Sequence, residues 1–132
     1  MKHIKLYESS EPKIEYYPTG EVSYKTWKKG DTAHREGGPA LISYYPDGKI
    51  MKEIWIVNGL QHRVDGPASI DYYPDGKVEK ETWRQMGKPF REDGPVNVSY
   101  SEDGEIEWAE WYADGKWYDT EVELWLAKIG LL

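Results

Sequence analysis

A seven-residue motif recurring every 28 residues constrains this chain more than anything else in it, because self-similarity at a fixed period dictates a fold of stacked units. His34-Arg35-Glu36-Gly37-Gly38-Pro39-Ala40, His62-Arg63-Val64-Asp65-Gly66-Pro67-Ala68 and Phe90-Arg91-Glu92-Asp93-Gly94-Pro95-Val96 succeed one another without a gap. A second segment keeps the spacing. Tyr44-Tyr45-Pro46-Asp47-Gly48 matches Tyr72-Tyr73-Pro74-Asp75-Gly76, is foreshadowed by Tyr16-Tyr17-Pro18-Thr19-Gly20, and weakens to Tyr100-Ser101-Glu102-Asp103-Gly104. Trp27, Trp55, Trp83 and Trp111 mark the period a third time. Three full units behind a partial one reach the number at which stacked repeats support each other.

Each unit reads as strand, tight turn, strand, loop. Ala40, Ile42 and Tyr44 match between units at period two, which puts them on one face, expected to be the buried one. Pro46-Asp47-Gly48 supplies a preset φ, a side chain able to bond its own backbone, and a residue free to take positive φ, which together predict a type I turn with a glycine bulge. The chain then reverses into a second strand over residues 50–57, and Asn58-Gly59 is another hairpin signal. Ile50 and Trp55 recur in every unit at a spacing that places them on opposite faces of a regular strand. Either a bulge intervenes or both faces are partly covered.

The array ends differently. Thr120-Glu121-Val122-Glu123 is a capping box, Val122, Trp125, Leu126 and Ile129 fall on one helical face, and Gly130 can stop the helix. Docked on the last hairpin, that face would cover the exposed terminus of the array. The expected architecture is therefore mainly β: one domain over residues 1–132, an antiparallel meander of hairpin repeats in a twisted, elongated sheet with a short C-terminal capping α-helix. Residues 1–33 form a partial unit, residues 34–61, 62–89 and 90–118 the repeats, and residues 120–130 the helix.

Composition narrows the function classes. With 132 residues and no cysteine, there is room for one modest core and no means of building a disulfide framework or a thiolate metal site. Seven Trp and eleven Tyr against one Phe suit half-exposed sheets rather than a thick core. No apolar run is long enough for a signal segment or a spanning helix, so a cytoplasmic location is expected. The net charge of −7 is concentrated: residues 93–132 hold ten Asp/Glu and two Lys/Arg.

Glu53-x-Trp55-x-x-x-Gly59-x-x-His62-Arg63-x-Asp65-Gly66-Pro67, with Trp27-Lys28-Lys29-Gly30-Asp31-Thr32-Ala33-His34, resembles the MORN repeats and their bacterial and phage variants over residues 14–118. The resemblance implies a twisted sheet of consecutive hairpins that serves as an interaction or assembly scaffold, in some members linked to membrane lipids. It brings no catalytic residues and no cofactor. The unit here is longer than the family's, and Arg-x-Asp-Gly-Pro stands where a Gly-x-Gly run is usual. That departure, with a negative charge that an anionic leaflet repels, argues against the lipid role.

Searched for chemistry, the chain favours structure. Arg35, Arg63 and Arg91 imitate a phosphate-binding row, but a residue needed once per unit is better explained by a loop held through an arginine fork, on carbonyls or on a carboxylate such as Glu53 or Glu81. Phe90 at the position of His34 and His62 argues packing rather than metal ligation or acid–base work, and with His3 near a terminus no zinc spacing arises. Ser99, Ser101, Asp103, Gly104 and Glu110 mimic a calcium loop, yet their flanks are strands by repeat register. The carboxylates around Glu105 evoke paired acids for sugar hydrolysis, though a solvated acidic strand is the commoner cause. No catalytic, metal or cofactor residues are assigned.

If matching residues build the scaffold, function belongs where units differ: Leu41/Ser69/Asn97, Ser43/Asp71/Ser99, Ile54/Thr82/Glu110 and Ile56/Arg84/Tyr112. The last unit diverges most. Glu102, Asp103, Glu105, Glu107, Trp108, Glu110, Tyr112, Asp114 and Trp117 form an acidic, aromatic segment of the composition that captures a basic protein surface, such as the nucleic-acid groove of a host-defence enzyme that it would inhibit. The bland alternative is an acidic solubilising cap whose tryptophans pack on the terminal helix. Another is a structural module that self-associates through sheet edges or that helix, giving a homodimer. Direct nucleic-acid binding lacks a basic stripe beyond Lys25, Lys28 and Lys29.

Overall fold

The computed structural model describes residues 10–132; the first part of the partial unit, with His3, lies outside the described residues. Along the chain, β1 (Lys13–Tyr16) and β2 (Val22–Thr26) lead into a short hairpin of β3 (Lys28–Lys29) and β4 (Thr32–Ala33). The pattern repeats as β5 (Leu41–Tyr44), β6 (Ile50–Ile54), β7 (Ile56–Val57) and β8 (Leu60–Gln61). It repeats again as β9 (Ser69–Tyr72), β10 (Val78–Thr82), β11 (Arg84–Gln85) and β12 (Lys88–Pro89). It closes with β13 (Asn97–Tyr100), β14 (Ile106–Ala113), β15 (Lys116–Tyr118) and α1 (Glu121–Lys128). The long strands make one nine-stranded antiparallel sheet in the order β1-β2-β5-β6-β9-β10-β13-β14-β15. The expected hairpin meander is what the chain forms.

The turns follow from their residues. Gly48 takes φ 89°, and its amide donates to the Tyr45 carbonyl at 2.9 Å while Asp47 Oδ1 accepts from the Lys49 amide at 3.0 Å. In the short hairpin, Asn58 and Gly59 are both at positive φ, the pair that a two-residue turn needs to match strand twist. The parity puzzle resolves as a bulge. Ser43 pairs with Lys52 while Tyr44 pairs with Ile50, and β1–β2, β9–β10 and β13–β14 shift in the same way, so the skipped residue returns the recurring apolar residue to the face of Glu53 and, by alternation, of the tryptophan.

Within the sheet, Ala40, Ala68 and Val96 are fully buried, whereas Ile42 and Tyr44 are only half-buried, so the expected buried face is closed at one end alone. That end is where the motif loops fold back. The guanidinium of Arg35 lies 3.8 Å from the Trp27 ring centroid, Arg63 lies 4.0 Å from Trp55, and Arg91 lies 4.1 Å from Trp83. Each arginine also donates from Nη1 to the carbonyl of its own loop proline, Pro39, Pro67 or Pro95. The fork thus uses carbonyls; Arg63 adds Asp65, not Glu53 or Glu81. A Cβ at Gly38, Gly66 or Gly94 would meet the arginine Cζ at 2.9, 2.8 or 2.7 Å, which explains the glycine before each proline.

Successive units are tied by side chains as well as by the ladder. Tyr17, Tyr45 and Tyr73 each donate a hydroxyl at 2.6 Å to the carbonyl of Tyr44, Tyr72 or Tyr100, one unit further on. His34 Nδ1 accepts from the Asn58 amide at 2.8 Å, and His62 Nδ1 accepts from the Met86 amide at 3.0 Å. The histidines therefore hold the next unit's hairpin turn.

At the end of the array, α1 is capped as expected on one side: Thr120 Oγ1 accepts from the Glu123 amide at 3.1 Å. Glu123 reaches back to the amide of Asp119, one residue before the N-cap. The helix packs against β14 and β15, but not with the stripe its periodicity suggests. Val122, Trp125 and Ile129 are exposed, Trp125 by 58%, while Leu124, Leu126 and Ala127 are half-buried. A helical stripe records which residues are apolar, not which side the neighbouring hairpin approaches.

Candidate functional site

Directly paired residues of adjacent strands share a face. One row across the sheet runs Thr26, Leu41, Ile54, Ser69, Thr82, Asn97, Glu110. The row beside it runs Tyr24, Ser43, Lys52, Asp71, Lys80, Ser99, Trp108, with Lys52 and Asp71 ion-paired at 3.0 Å. Arg84 joins the same face by donating to Asn97 Oδ1 at 3.1 Å. The positions at which the units differ therefore lie together on one face. The opposite face carries the repeated residues Ile42, Glu53, Ile70, Glu81 and Val98.

Of the nine C-terminal residues singled out by sequence, this face gathers four. Trp108, Glu110 and Tyr112 alternate along β14, and Trp117 pairs with Tyr112, their ring centroids 4.8 Å apart at 61°. Trp108 and Trp117 stay 44% and 48% exposed, so neither is consumed by packing on α1. Glu107 points to the other face by alternation. Glu102, Asp103 and Glu105 occupy the β13–β14 turn, where Ser101 Oγ accepts from the Glu105 amide at 3.2 Å and Lys77 holds the Glu102 carbonyl at 3.1 Å. Asp114 sits in the β14–β15 turn at φ 50°. The eight residues of β14 extend about 23 Å, so the two acidic turns stand at opposite ends of the strand.

Glu110 is the least free of these carboxylates. Its Oε2 accepts from Asn97 Nδ2 at 2.8 Å, Asn97 Oδ1 accepts from Arg84, and Arg84 Nη1 donates to the Trp83 carbonyl at 2.7 Å. Burial lowers the Arg84 pKa and the Glu110 charge works against that shift. The trio is a partly buried bridge between the third unit and the last strand. Beyond it, residues 106–110 of β14 have no strand on their outer side among the described residues. Glu107 on that edge discourages pairing with another chain's edge.

A second feature was not anticipated from the sequence. Clefts open between successive motif loops: about 290 Å³ between the first and second, about 460 Å³ between the second and third, and about 680 Å³ between the third loop and α1. Trp55, Trp83 and Trp111 line them in turn. The last is largest because the ties seen earlier stop there. Phe90 offers no acceptor to the Asp114 amide, and the inter-hairpin bonds Gly59 to Ala33 and Gly87 to Gln61 have no counterpart at Gly115 among the described residues. The signal was present in the sequence as Phe90 and as Asp119, which stands 28 residues after Arg91.

Among the described residues no three His, Cys, Asp or Glu side chains assemble as a metal-ligand set, and no helix is long and apolar enough to cross a membrane. No family model, curated protein or solved structure matches this chain.

Proposed function

We propose that this chain is a non-enzymatic, MORN-like scaffold that binds a basic partner protein through one face of its sheet, with Trp108, Glu110, Tyr112 and Trp117 at the centre of contact. The observation that supports this reading is the segregation of the repeat: matching residues build one face and the loops, and variable residues collect on the other. A scaffold that had only to stack would need no such division. Half-exposed tryptophans and a T-shaped tyrosine–tryptophan pair are preorganised contact surface, and the surrounding carboxylates steer a cationic partner. A nucleic-acid-binding enzyme presents a surface of that charge, and occupying its groove would inhibit it.

The test is affinity purification with the wild-type chain and with a Trp108→Ala/Trp117→Ala variant, followed by binding measurements on the purified partner. Loss of the partner by at least about 100-fold, with the wild-type complex weakening as salt rises, is the expected result. Retention of the partner by the variant would overturn the reading. Self-association through the β14 edge is disfavoured by Glu107, since a copy would bring like charges face to face. A dimer mass in light scattering at high concentration would restore it.

A further inference from the structure

In the first three units a tryptophan ring is covered by a guanidinium from the loop that follows it: Arg35 on Trp27, Arg63 on Trp55 and Arg91 on Trp83. The backbone register that delivers the arginine is the pairing of the tryptophan with the residue just before it. His34, His62 and Phe90 donate their amides to the carbonyls of Trp27, Trp55 and Trp83. The fourth unit keeps the register, because Trp111 pairs with Tyr118. The next residue, where the arginine belongs, is Asp119. No cation of the chain lies over Trp111 among the described residues, and Trp111 lines the largest of the three clefts between the loops.

The charges around that cleft suit a cation. Glu92, Asp93, Asp114 and Glu121 line it. Of its two basic residues, Arg91 is already engaged with Trp83 and the Pro95 carbonyl, which leaves Lys128 at the end of α1. An aromatic face with carboxylates at its rim binds guanidinium better than ammonium, since the planar fork stacks on the ring and donates in two directions at once.

We propose that the cleft over Trp111 receives an arginine side chain from the partner protein, which completes in trans the arginine–tryptophan stack that each earlier unit completes in cis. The rim carboxylates of Asp114 and Glu121 take the part that the proline carbonyl plays in those units. The assignment rests on the protein-binding reading above but concerns an adjoining place: Trp111 alternates along β14 with the residues of the variable face, and of the four central ones Tyr112 alone also lines the cleft. It also gives a reason for the last junction to lack its own arginine, which would occupy the ring, and a histidine tie, since the tied junctions hold the smaller clefts.

The experiment is a titration of the ¹⁵N-labelled full chain with two short glycine-serine peptides, one carrying a single arginine and the other a single lysine, followed at the seven tryptophan indole N–H signals. The Trp111 signal, assigned by its loss in Trp111→Phe, is expected to shift with the arginine peptide. The lysine peptide should bind about three- to tenfold more weakly. Asp119→Arg provides a variant that keeps Trp111: its own arginine should fill the cleft, move the Trp111 signal without peptide and abolish the peptide response. An unmoved Trp111 signal at millimolar arginine peptide, equal binding of both peptides, or an undiminished response in Asp119→Arg would overturn the proposal. The two readings fail separately. A partner lost by Trp108→Ala/Trp117→Ala yet retained at full affinity by Asp119→Arg would leave the variable face standing and overturn the arginine seat.

Discussion

At each inner junction of the array, between the first and second short hairpins and between the second and third, a histidine holds the next turn and a backbone bond joins neighbouring hairpins; at the last junction Phe90 and Gly115 make neither. The same contrast separates Trp27, Trp55 and Trp83, each under an arginine, from Trp111, which has no such cover among the described residues. Equivalent stretches of the repeat thus build tied junctions with smaller clefts in one place and an untied junction with a larger cleft in another. The difference teaches that in a repeat array the stabilising contacts belong to junctions, and that dropping one contact partner converts a structural position into surface.

If that is right, removing an inner tryptophan should hurt far more than removing the last. Trp83→Ala is expected to cost about 3 kcal/mol in urea unfolding, and Trp111→Ala about 1 kcal/mol; equal losses would erase the distinction between the two regions. Next in size, Gly66→Ala drives a methyl group into a guanidinium held between Trp55 and a carbonyl, for an expected loss of about 2 kcal/mol. Unchanged stability there would mean that Arg63 can swing away freely.

Exchanging the junction residues sharpens the comparison. His62→Phe strands the Met86 amide and should lose about 1 kcal/mol, whereas Phe90→His supplies an acceptor to the Asp114 amide and should gain about 0.5 kcal/mol. Opposite signs from reciprocal changes, read as shifts in the unfolding midpoint, are the expected signature. Met86 itself sits at φ 50°, exposed, where Asn is better suited; Met86→Asn should add about 0.5 kcal/mol.

One further effect is a titration. Burial, then the charge of Glu53, to which its hydroxyl donates at 3.1 Å, pushes the Tyr72 pKa up to about 12. The folded chain keeps a proton that the unfolded chain gives up near pH 10, so this contribution is complete below about pH 10 and is lost as pH rises towards 12. Tyr72→Phe should flatten the decline of stability over that window, by less than about 1 kcal/mol given partial screening by solvent. A decline as steep as in the wild type would place the titration at another tyrosine.

The sequence by itself determined whatever depends on neighbours along the chain. The 28-residue unit, the Pro-Asp-Gly turn, the Asn58-Gly59 hairpin and the Thr120 cap were all legible, because each is set by the φ preference or hydrogen-bonding reach of residues within a few positions of one another. The acidic, aromatic end was legible as composition, but not that four of its nine residues share a face while two groups of carboxylates lie at opposite ends of a strand. Only the tertiary structure decided that. It decided too that the arginines choose tryptophan and proline carbonyl over Glu53 and Glu81, that a bulge reconciles Ile50 with Trp55, and that α1 leaves Trp125 outside. Each of these depends on which surface comes opposite across tens of residues, and a local pattern holds no record of what a side chain will meet there.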